Sequence, residues 1–127
     1  MSKKILIIDD EKDMQVYLAT LFRKAGYEAK TAENGEQGLS MAKSFQPDLI
    51  TLDIMMPKKS GLKAYHELRT SSETKGTPII VLTGLTQQED FFGENLGDLP
   101  RPEAIVEKPI DRDDFLARAR EIMDRST

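Results

Sequence analysis

The sequence has 127 residues, with 22 acidic side chains against 18 basic ones and therefore a formal net charge of −4. Hydrophobic residues make up 39% of the chain, which suits one domain with its own core and is too many for a disordered segment. Cysteine is absent and histidine occurs once, which excludes disulfides, thiolate zinc sites and multi-histidine metal sites. A bound metal ion would therefore have to rely on oxygen ligands.

The composition also restricts where the chain acts and what it binds. No apolar run approaches the roughly 20 residues of a membrane-spanning helix, and Met1–Ile8 is too short for the apolar region of a signal peptide. Lysine and arginine form no cluster longer than a pair, which argues against phosphate contacts with nucleic acid. We therefore expect residues 1–127 to form one cytoplasmic domain that contacts neither membrane nor nucleic acid.

The first half of the chain alternates apolar strands with amphipathic helices. Lys4–Asp9 contains a continuous apolar run, which is typical of a strand buried on both faces of a parallel sheet. The next apolar residues follow a helical period and predict a helix over Asp13–Ala25, ended by Gly26 in a left-handed turn. A weaker, outer strand is predicted at Glu28–Thr31 and a second helix at Gly35–Phe45.

The second half repeats this alternation. Buried strands are predicted at Asp48–Asp53 and Pro78–Thr83, on either side of a helix at Ser60–Thr70. Ala104–Glu107 is predicted to be a second outer strand, and the last helix begins at Asp111, a good N-cap residue. Because a parallel crossover needs about a dozen residues, this order predicts βαβ units and an α/β fold with a five-stranded parallel sheet.

The segment Thr86–Pro102 departs from the regular pattern. Glycine and proline interrupt any helical period there, at Gly93, Gly97, Pro100 and Pro102. The fourth crossover is therefore predicted to hold at most a short helix, over about Gln87–Phe92.

Polar side chains collect at the carboxyl ends of the predicted strands. Asp9 and Asp10 end the first strand, Asp53 the third and Thr83 the fourth, and Lys108 follows the fifth. Ligands of an open parallel sheet bind at this edge. Neighbouring carboxylates repel one another unless a cation joins them, and Mg²⁺ prefers such oxygen ligands. With a hydroxyl and an ammonium beside the carboxylates, the group is suited to phosphoryl transfer to an aspartate.

These residues stand in motifs that resemble the receiver domains of two-component response regulators, the chemotaxis-Y-like family. The matching segments are Ile8–Glu11, Leu52–Gly61, Val81–Gly84 and Glu107–Ile110, in the order and spacing of the family, so the resemblance covers nearly the whole chain. It implies a doubly wound, flavodoxin-like sheet with strand order 2-1-3-4-5, here with an irregular or shortened fourth helix. It also implies a signalling switch rather than a metabolic enzyme.

The resemblance assigns the metal site and the acceptor. Asp53 would accept the phosphoryl group, and Asp9 and Asp10 would form the acidic pair that holds Mg²⁺ together with Asp53. Met55 would lend its backbone carbonyl to the metal ion, so its side chain does not matter for ligation.

The resemblance also assigns the switch residues and the partners. Thr83 would be the hydroxyl that moves towards the phosphoryl group, and Lys108 the cation that contacts it, often next to a cis peptide bond at Pro109. The donor would be a phosphohistidine of a sensor histidine kinase or of a histidine phosphotransfer protein. Phosphorylation would shift the domain between two packings and change its binding to an output protein or domain, and a homodimer stays open.

Some positions depart from the family pattern. Receivers commonly carry an aromatic residue three positions before the lysine, where this chain has Ile105. An isoleucine cannot make the same swing between exposed and buried positions, so we expect a different coupling to the output face. Met55 and Leu85 flank the acceptor site and are apolar, which predicts slow self-dephosphorylation because neither side chain can orient a water molecule.

Other functions are compatible with a fold of this class. A phosphohydrolase of the haloacid dehalogenase type needs a second aspartate two positions after its nucleophile, where this chain has Met55 or Glu11. A flavin-binding domain needs a Ser/Thr/Gly-rich phosphate loop after the first strand, which the sequence lacks. The alternative that stays open is a receiver-like interaction module that acts without phosphorylation.

Overall fold

The chain folds as a parallel sheet with helices on both faces. In a computed structural model, described here for residues 2–57, 60–84 and 96–125, the strand order is β2-β1-β3-β4-β5. The strands are β1 (Lys4–Ile8), β2 (Glu28–Ala32), β3 (Leu49–Asp53), β4 (Ile79–Thr83) and β5 (Ala104–Glu107). The helices are α1 (Lys12–Lys24), α2 (Gly35–Phe45), α3 (Ser60–Thr70) and α4 (Arg112–Arg125).

Side-chain alternation along the strands divides the core into two clusters. The α2/α3 cluster lies on one face of the sheet and contains the buried side chains of Leu6, Ile8, Ile50, Leu52, Ile79, Val81, Ala42, Phe45, Ala64, Tyr65 and Leu68. The α1/α4 cluster lies on the other face and contains Ile5, Ile7, Leu49, Ile80, Leu82, Leu18, Phe22, Phe115, Ala119 and Ile122. Since the central strands are covered on both faces, they need continuous apolar runs.

Local capping sets several helix ends. The Asn34 side chain accepts a hydrogen bond from the Gln37 N–H at 2.8 Å at the start of α2, and Asp111 accepts from Asp114 N–H at 3.1 Å before α4. Gly26 has φ of +96° just after α1, as the sequence predicts. At the end of α2 the left-handed position is taken by Gln46, with φ of +52°, which no sequence signal indicates.

The structure confirms the predicted fold class, the strand order and the two outer strands. The predicted bounds of β1, β3 and β4 were each one residue too long, and β2 extends to Ala32. The short helix predicted at 87–92 lies outside the described residues. None of the helices described is both long and apolar enough to cross a membrane.

Candidate functional site

The carboxyl edge of the sheet carries every side chain that the sequence assigns to the site. Asp53 and Thr83 are the last residues of the adjacent strands β3 and β4, and Asp9 follows β1 directly. Lys108 follows β5, and its N–H donates to the Thr83 carbonyl at 2.8 Å, which carries the β4–β5 pairing to the end of the strands. Asp9, Asp53 and Thr83 are buried, whereas Asp10 is exposed.

The carboxylates of Asp9, Asp10 and Asp53 form one cluster. One oxygen of each lies within 4.8 Å of one oxygen of each of the others. Two of the carboxylates are buried and the third is exposed, so the cluster opens to solvent on the side of Asp10. A small cation could reach the cluster from that side.

The surroundings of Asp9 disfavour its ionised form. Its Oδ1 accepts a hydrogen bond from Glu11 N–H at 2.9 Å, while its buried Oδ2 has no hydrogen-bond partner among the residues described. The pKa of the Asp9 carboxyl is raised from 3.8 to about 6. Burial is the largest cause and the charge of Asp53 adds to it, while the hydrogen bond from Glu11 N–H and the charge of Lys108 lower the pKa. An unsatisfied buried oxygen that faces other carboxylates is a group that a cation would stabilise.

Asp53 is held from two sides. The Met55 N–H donates to Asp53 Oδ1 at 2.9 Å, which turns the chain directly after β3. Lys108 Nζ lies 3.5 Å from Asp53 Oδ2 and 3.9 Å from Asp9 Oδ2, so a single cation lies beside both buried carboxylates. The Lys108–Pro109 peptide bond is cis, and the Lys108 side chain is 25% exposed.

The loop after Asp53 is fixed by close backbone packing. A β-carbon at Gly61 would lie 2.6 Å from the carbonyl oxygen of Asp53 and 2.5 Å from that of Ile54, so only glycine lets α3 start this close to the loop. Met55 lies in this loop, two residues after Asp53, and is 50% exposed.

The donor set fits Mg²⁺. Hard carboxylate oxygens are the ligands that this ion prefers, and it keeps several waters that phosphate oxygens can replace. The orphaned Oδ2 of Asp9 and the partly open cluster are the features that a divalent cation would complete.

A comparison with known families decides what kind of domain carries this site. Residues 5–120 match the sequence model described as "Response regulator receiver domain". The chain belongs to the response regulator receiver family. The receiver domains of two-component systems are signalling switches, and the carboxylate cluster found here stands where the motifs of the resemblance predict it.

Curated relatives support membership of the receiver family along the whole chain. The "DNA-binding dual master transcriptional regulator RpaA" of Synechocystis is 35% identical over 97% of this chain. The "Alkaline phosphatase synthesis transcriptional regulatory protein PhoP" of Bacillus subtilis is 35% identical over 99% of it. This chain spans about half the length of both relatives (50% of each). "Protein PilH" of Pseudomonas aeruginosa is 32% identical over 89% of this chain and is itself covered to 91%.

Solved structures agree with this receiver fold. The chemotaxis protein CheY4 of Vibrio cholerae superposes with a TM-score of 0.83 at 27% identity, covering 96% of this chain and 99% of that one. A putative response regulator from Chloroflexus aurantiacus superposes with a TM-score of 0.85 at 26% identity, covering 98% of this chain and 100% of that one.

The receiver site contains a residue that the sequence reasoning missed. The structure brings Asp9, Asp10, Asp53 and Lys108 together, and the chemical roles of these residues stay predictions.

The missed residue is Gln15, whose buried side-chain amide donates to the Asp9 carbonyl at 2.7 Å. The signal was available, because Gln15 is a polar residue at helical spacing with the apolar positions of α1.

Proposed function

We propose that this receiver domain accepts a phosphoryl group on Asp53 from a phosphohistidine of a sensor histidine kinase or a histidine phosphotransfer protein. The observation that supports the proposal is the cluster of Asp9, Asp10 and Asp53 with Lys108 Nζ 3.5 Å from Asp53 Oδ2. The Asp53 carboxylate is buried beside the Lys108 ammonium, in a cluster that suits Mg²⁺ and opens to solvent at Asp10. This is an arrangement for receiving a phosphoryl group.

The reaction is a displacement at phosphorus. A carboxylate oxygen of Asp53 forms the new bond to phosphorus while the phosphorus–nitrogen bond breaks and its electron pair returns to the imidazole. The Met55 N–H bond to Asp53 Oδ1 limits rotation of the carboxylate, so the nucleophile is oriented before the donor arrives. Lys108 supplies a positive charge near the oxygens that carry the developing negative charge.

Asp9, Asp10 and Asp53, together with the backbone carbonyl of Met55, would hold Mg²⁺. When bound, Mg²⁺ neutralises the carboxylates and binds the phosphoryl oxygens. The chain's own contribution is to keep water away from Asp9, which is 1% exposed, while Asp10 stays open to solvent.

The output of the switch follows from the change of charge at Asp53, where a phosphoryl group of about −1.5 to −2 would replace the single negative charge of the carboxylate. Thr83, buried at the end of the neighbouring strand, would carry the change as its hydroxyl turns towards the phosphoryl group. Ile105 on β5 packs against the α2/α3 cluster, half-buried, in place of the aromatic residue common in receivers. Phosphorylation would then change the partner surface through repacking of the edge strand β5 rather than through the rotation of an aromatic side chain.

Intact mass spectrometry with acetyl phosphate tests the proposal. The parent incubated with Mg²⁺ should gain a single phosphoryl adduct, which chelator and Asp53→Asn should both abolish. Asp13→Asn, which removes an exposed carboxylate of α1 outside the cluster, is the matched control and should be phosphorylated like the parent.

Ile105 favours a second candidate function, an interaction module that binds partners without phosphorylation. If the parent binds Mg²⁺ but gains no adduct from acetyl phosphate or from histidine kinase donors, this second function replaces the first.

A further inference from the structure

Gln15 is a polar residue on the buried face of α1. It is 6% exposed and lies three, four and seven positions before Leu18, Ala19 and Phe22, which are buried in the α1/α4 cluster. An amide taken out of water costs free energy unless its groups find partners. Its presence on this face therefore calls for a specific hydrogen bond.

The partner of the Gln15 side chain is the backbone of Asp9. Nε2 of Gln15 donates to the carbonyl oxygen of Asp9 at 2.7 Å, and this bond is buried. The paired register of β1 and β2 ends at Ile8 and Ala32. The Asp9 N–H still donates to the Ala32 carbonyl at 3.0 Å, whereas the Asp9 carbonyl accepts the bond from Gln15. Gln15 thus satisfies a carbonyl that lies just past the end of the sheet.

This hydrogen bond fixes a peptide plane in the carboxylate cluster. The carbonyl of Asp9 and the N–H of Asp10 belong to the same planar unit, so holding the oxygen also holds the direction in which the chain enters Asp10. Gln15 further donates its own N–H to the Glu11 carbonyl at 3.1 Å, so one helical residue holds both ends of this loop.

Asp10 depends on its backbone more than the other two carboxylates do. Asp9 is oriented by Glu11 N–H and Asp53 by Met55 N–H, each at 2.9 Å. The Asp10 carboxylate has no such bond to any residue in the described ranges and is exposed, so its direction is set by the peptide that precedes it.

We propose that Gln15 is a positioning residue of the receiver's metal site: its side-chain amide fixes the Asp9–Asp10 peptide and thereby aims the Asp10 carboxylate at the ion. This inference rests on the proposed function, since it assumes that the cluster binds Mg²⁺. Residues that orient metal ligands through a hydrogen bond contribute about 10-fold to 100-fold to metal affinity in other proteins.

Calorimetric titration of the metal-free protein with Mg²⁺ at neutral pH tests the inference. Gln15→Met keeps the length and burial of the side chain but removes the donor, and it should weaken Mg²⁺ binding about 10-fold or more. Gln37→Met removes the same kind of side chain from an exposed position of α2 and should bind Mg²⁺ like the parent. Asp10→Asn removes a metal-ligating carboxylate and shows how much Mg²⁺ affinity is left without it.

The possible results separate the inference from the proposed function. If the parent does not bind Mg²⁺, the proposed metal site fails and this inference with it. If the parent binds but folded Gln15→Met binds equally well, Gln15 is only structural and the inference fails alone, even if the variant unfolds at a lower temperature.

A measurement on the parent covers the case in which Gln15→Met does not fold. The side-chain NH₂ resonances of Gln15 should exchange slowly with solvent and shift on Mg²⁺ addition, while those of Gln37 stay unchanged. Gln15 resonances that do not respond to bound Mg²⁺ would overturn the inference.

Discussion

Nη2 of Arg69 lies 2.6 Å from Oε1 of Glu103, and the arginine side chain is 2% exposed. The same glutamate oxygen accepts the Ile79 N–H at 2.7 Å, and Arg69 Nη1 donates to the Thr77 carbonyl at 2.9 Å. A single buried guanidinium thus ties α3 to the start of β4 and to the segment that leads into β5. This polar network therefore helps to hold the edge strand β5, in addition to the backbone pairing of β5 with β4.

We expect Glu103→Gln to destabilise the protein by about 2 to 3 kcal/mol, because it leaves the buried charge of Arg69 without its counter-ion. The 38% exposure of Glu103 keeps this value below that of a fully buried pair. Urea unfolding measures the difference. The exposed pair Glu121 and Arg125, with atoms 2.8 Å apart, is the matched control, and Glu121→Gln should change the midpoint very little.

A double-mutant cycle identifies the source of that loss. Arg69→Met combined with Glu103→Gln should cost clearly less than the sum of the single changes, because the second change removes a partner that is already gone. Strict additivity would mean that the two side chains do not stabilise each other.

Thr51 has a buried hydroxyl with no hydrogen-bond partner in the described part of the chain. It lies on β3 between Ile7 and Ile80 of the neighbouring strands, so Thr51→Val replaces the hydroxyl with a methyl group of similar size in an apolar setting. We expect a gain of up to about 1 kcal/mol in the free energy of unfolding. Thr74→Val is the control, since Thr74 Oγ1 donates to the Leu68 carbonyl at 2.7 Å, and it should lose about 1 to 2 kcal/mol. A Thr51→Val loss as large as that of Thr74→Val would contradict this account.

The fold was predictable because its signals are local. The apolar run of β4 and the left-handed Gly26 after α1 each depend on neighbours within a few residues. The position of the carboxylate cluster was also predictable. Parallel strands bring their carboxyl ends to one edge of the sheet, and this does not depend on how individual side chains pack. The motifs around Asp9 and Asp53 then determine which residues stand there.

The polar network and the positioning amide were not predictable in the same way. Arg69 meets Glu103 across 34 positions of sequence, and Gln15 meets a backbone carbonyl rather than a complementary side chain. Sequence alone shows only that each lies at helical spacing with buried residues. Which group satisfies a polar side chain there depends on tertiary packing.

Gly61 should tolerate no side chain. Gly61→Ala places a β-carbon within 2.6 Å of the carbonyl oxygens of Asp53 and Ile54, so α3 or the loop after β3 has to move. We expect a loss of about 2 to 4 kcal/mol and slower phosphorylation, because the loop that orients Asp53 is displaced. Gly76→Ala is the control, since a β-carbon there meets nothing within 4 Å. Equal thermal stability of the two variants would show that the loop yields without cost.

Asp9→Asn should stabilise the metal-free protein at neutral pH by about 1 to 3 kcal/mol, since it removes a buried charge beside other carboxylates. Burial raises the pKa of Asp9 to about 6, above its unfolded value of 3.8. The contribution of this carboxyl to stability is therefore fully present below pH 3.8 and is lost as the pH rises through about 6.

The advantage of Asp9→Asn should therefore shrink as the pH falls from about 6 to 3.8, and denaturant unfolding in chelator across this range measures it. Asp13→Asn, at an exposed position of α1, should show no such dependence. An advantage that is constant with pH would argue that Asp9 is not held with a raised pKa.

Met55 should slow the loss of the phosphoryl group from Asp53. Met55 is 50% exposed and lies two residues after the acceptor, and its apolar side chain cannot orient an attacking water. Met55→Asn together with Leu85→Glu, a position outside the described residues, should shorten the lifetime of the phosphorylated state about 10-fold. Intact mass after removal of the donor follows this decay. Val16→Asn changes an equally exposed apolar residue, 54% exposed on α1, and should decay like the parent. If the double variant kept its phosphoryl group as long as the parent, the lack of a side chain that orients water would not be what limits hydrolysis.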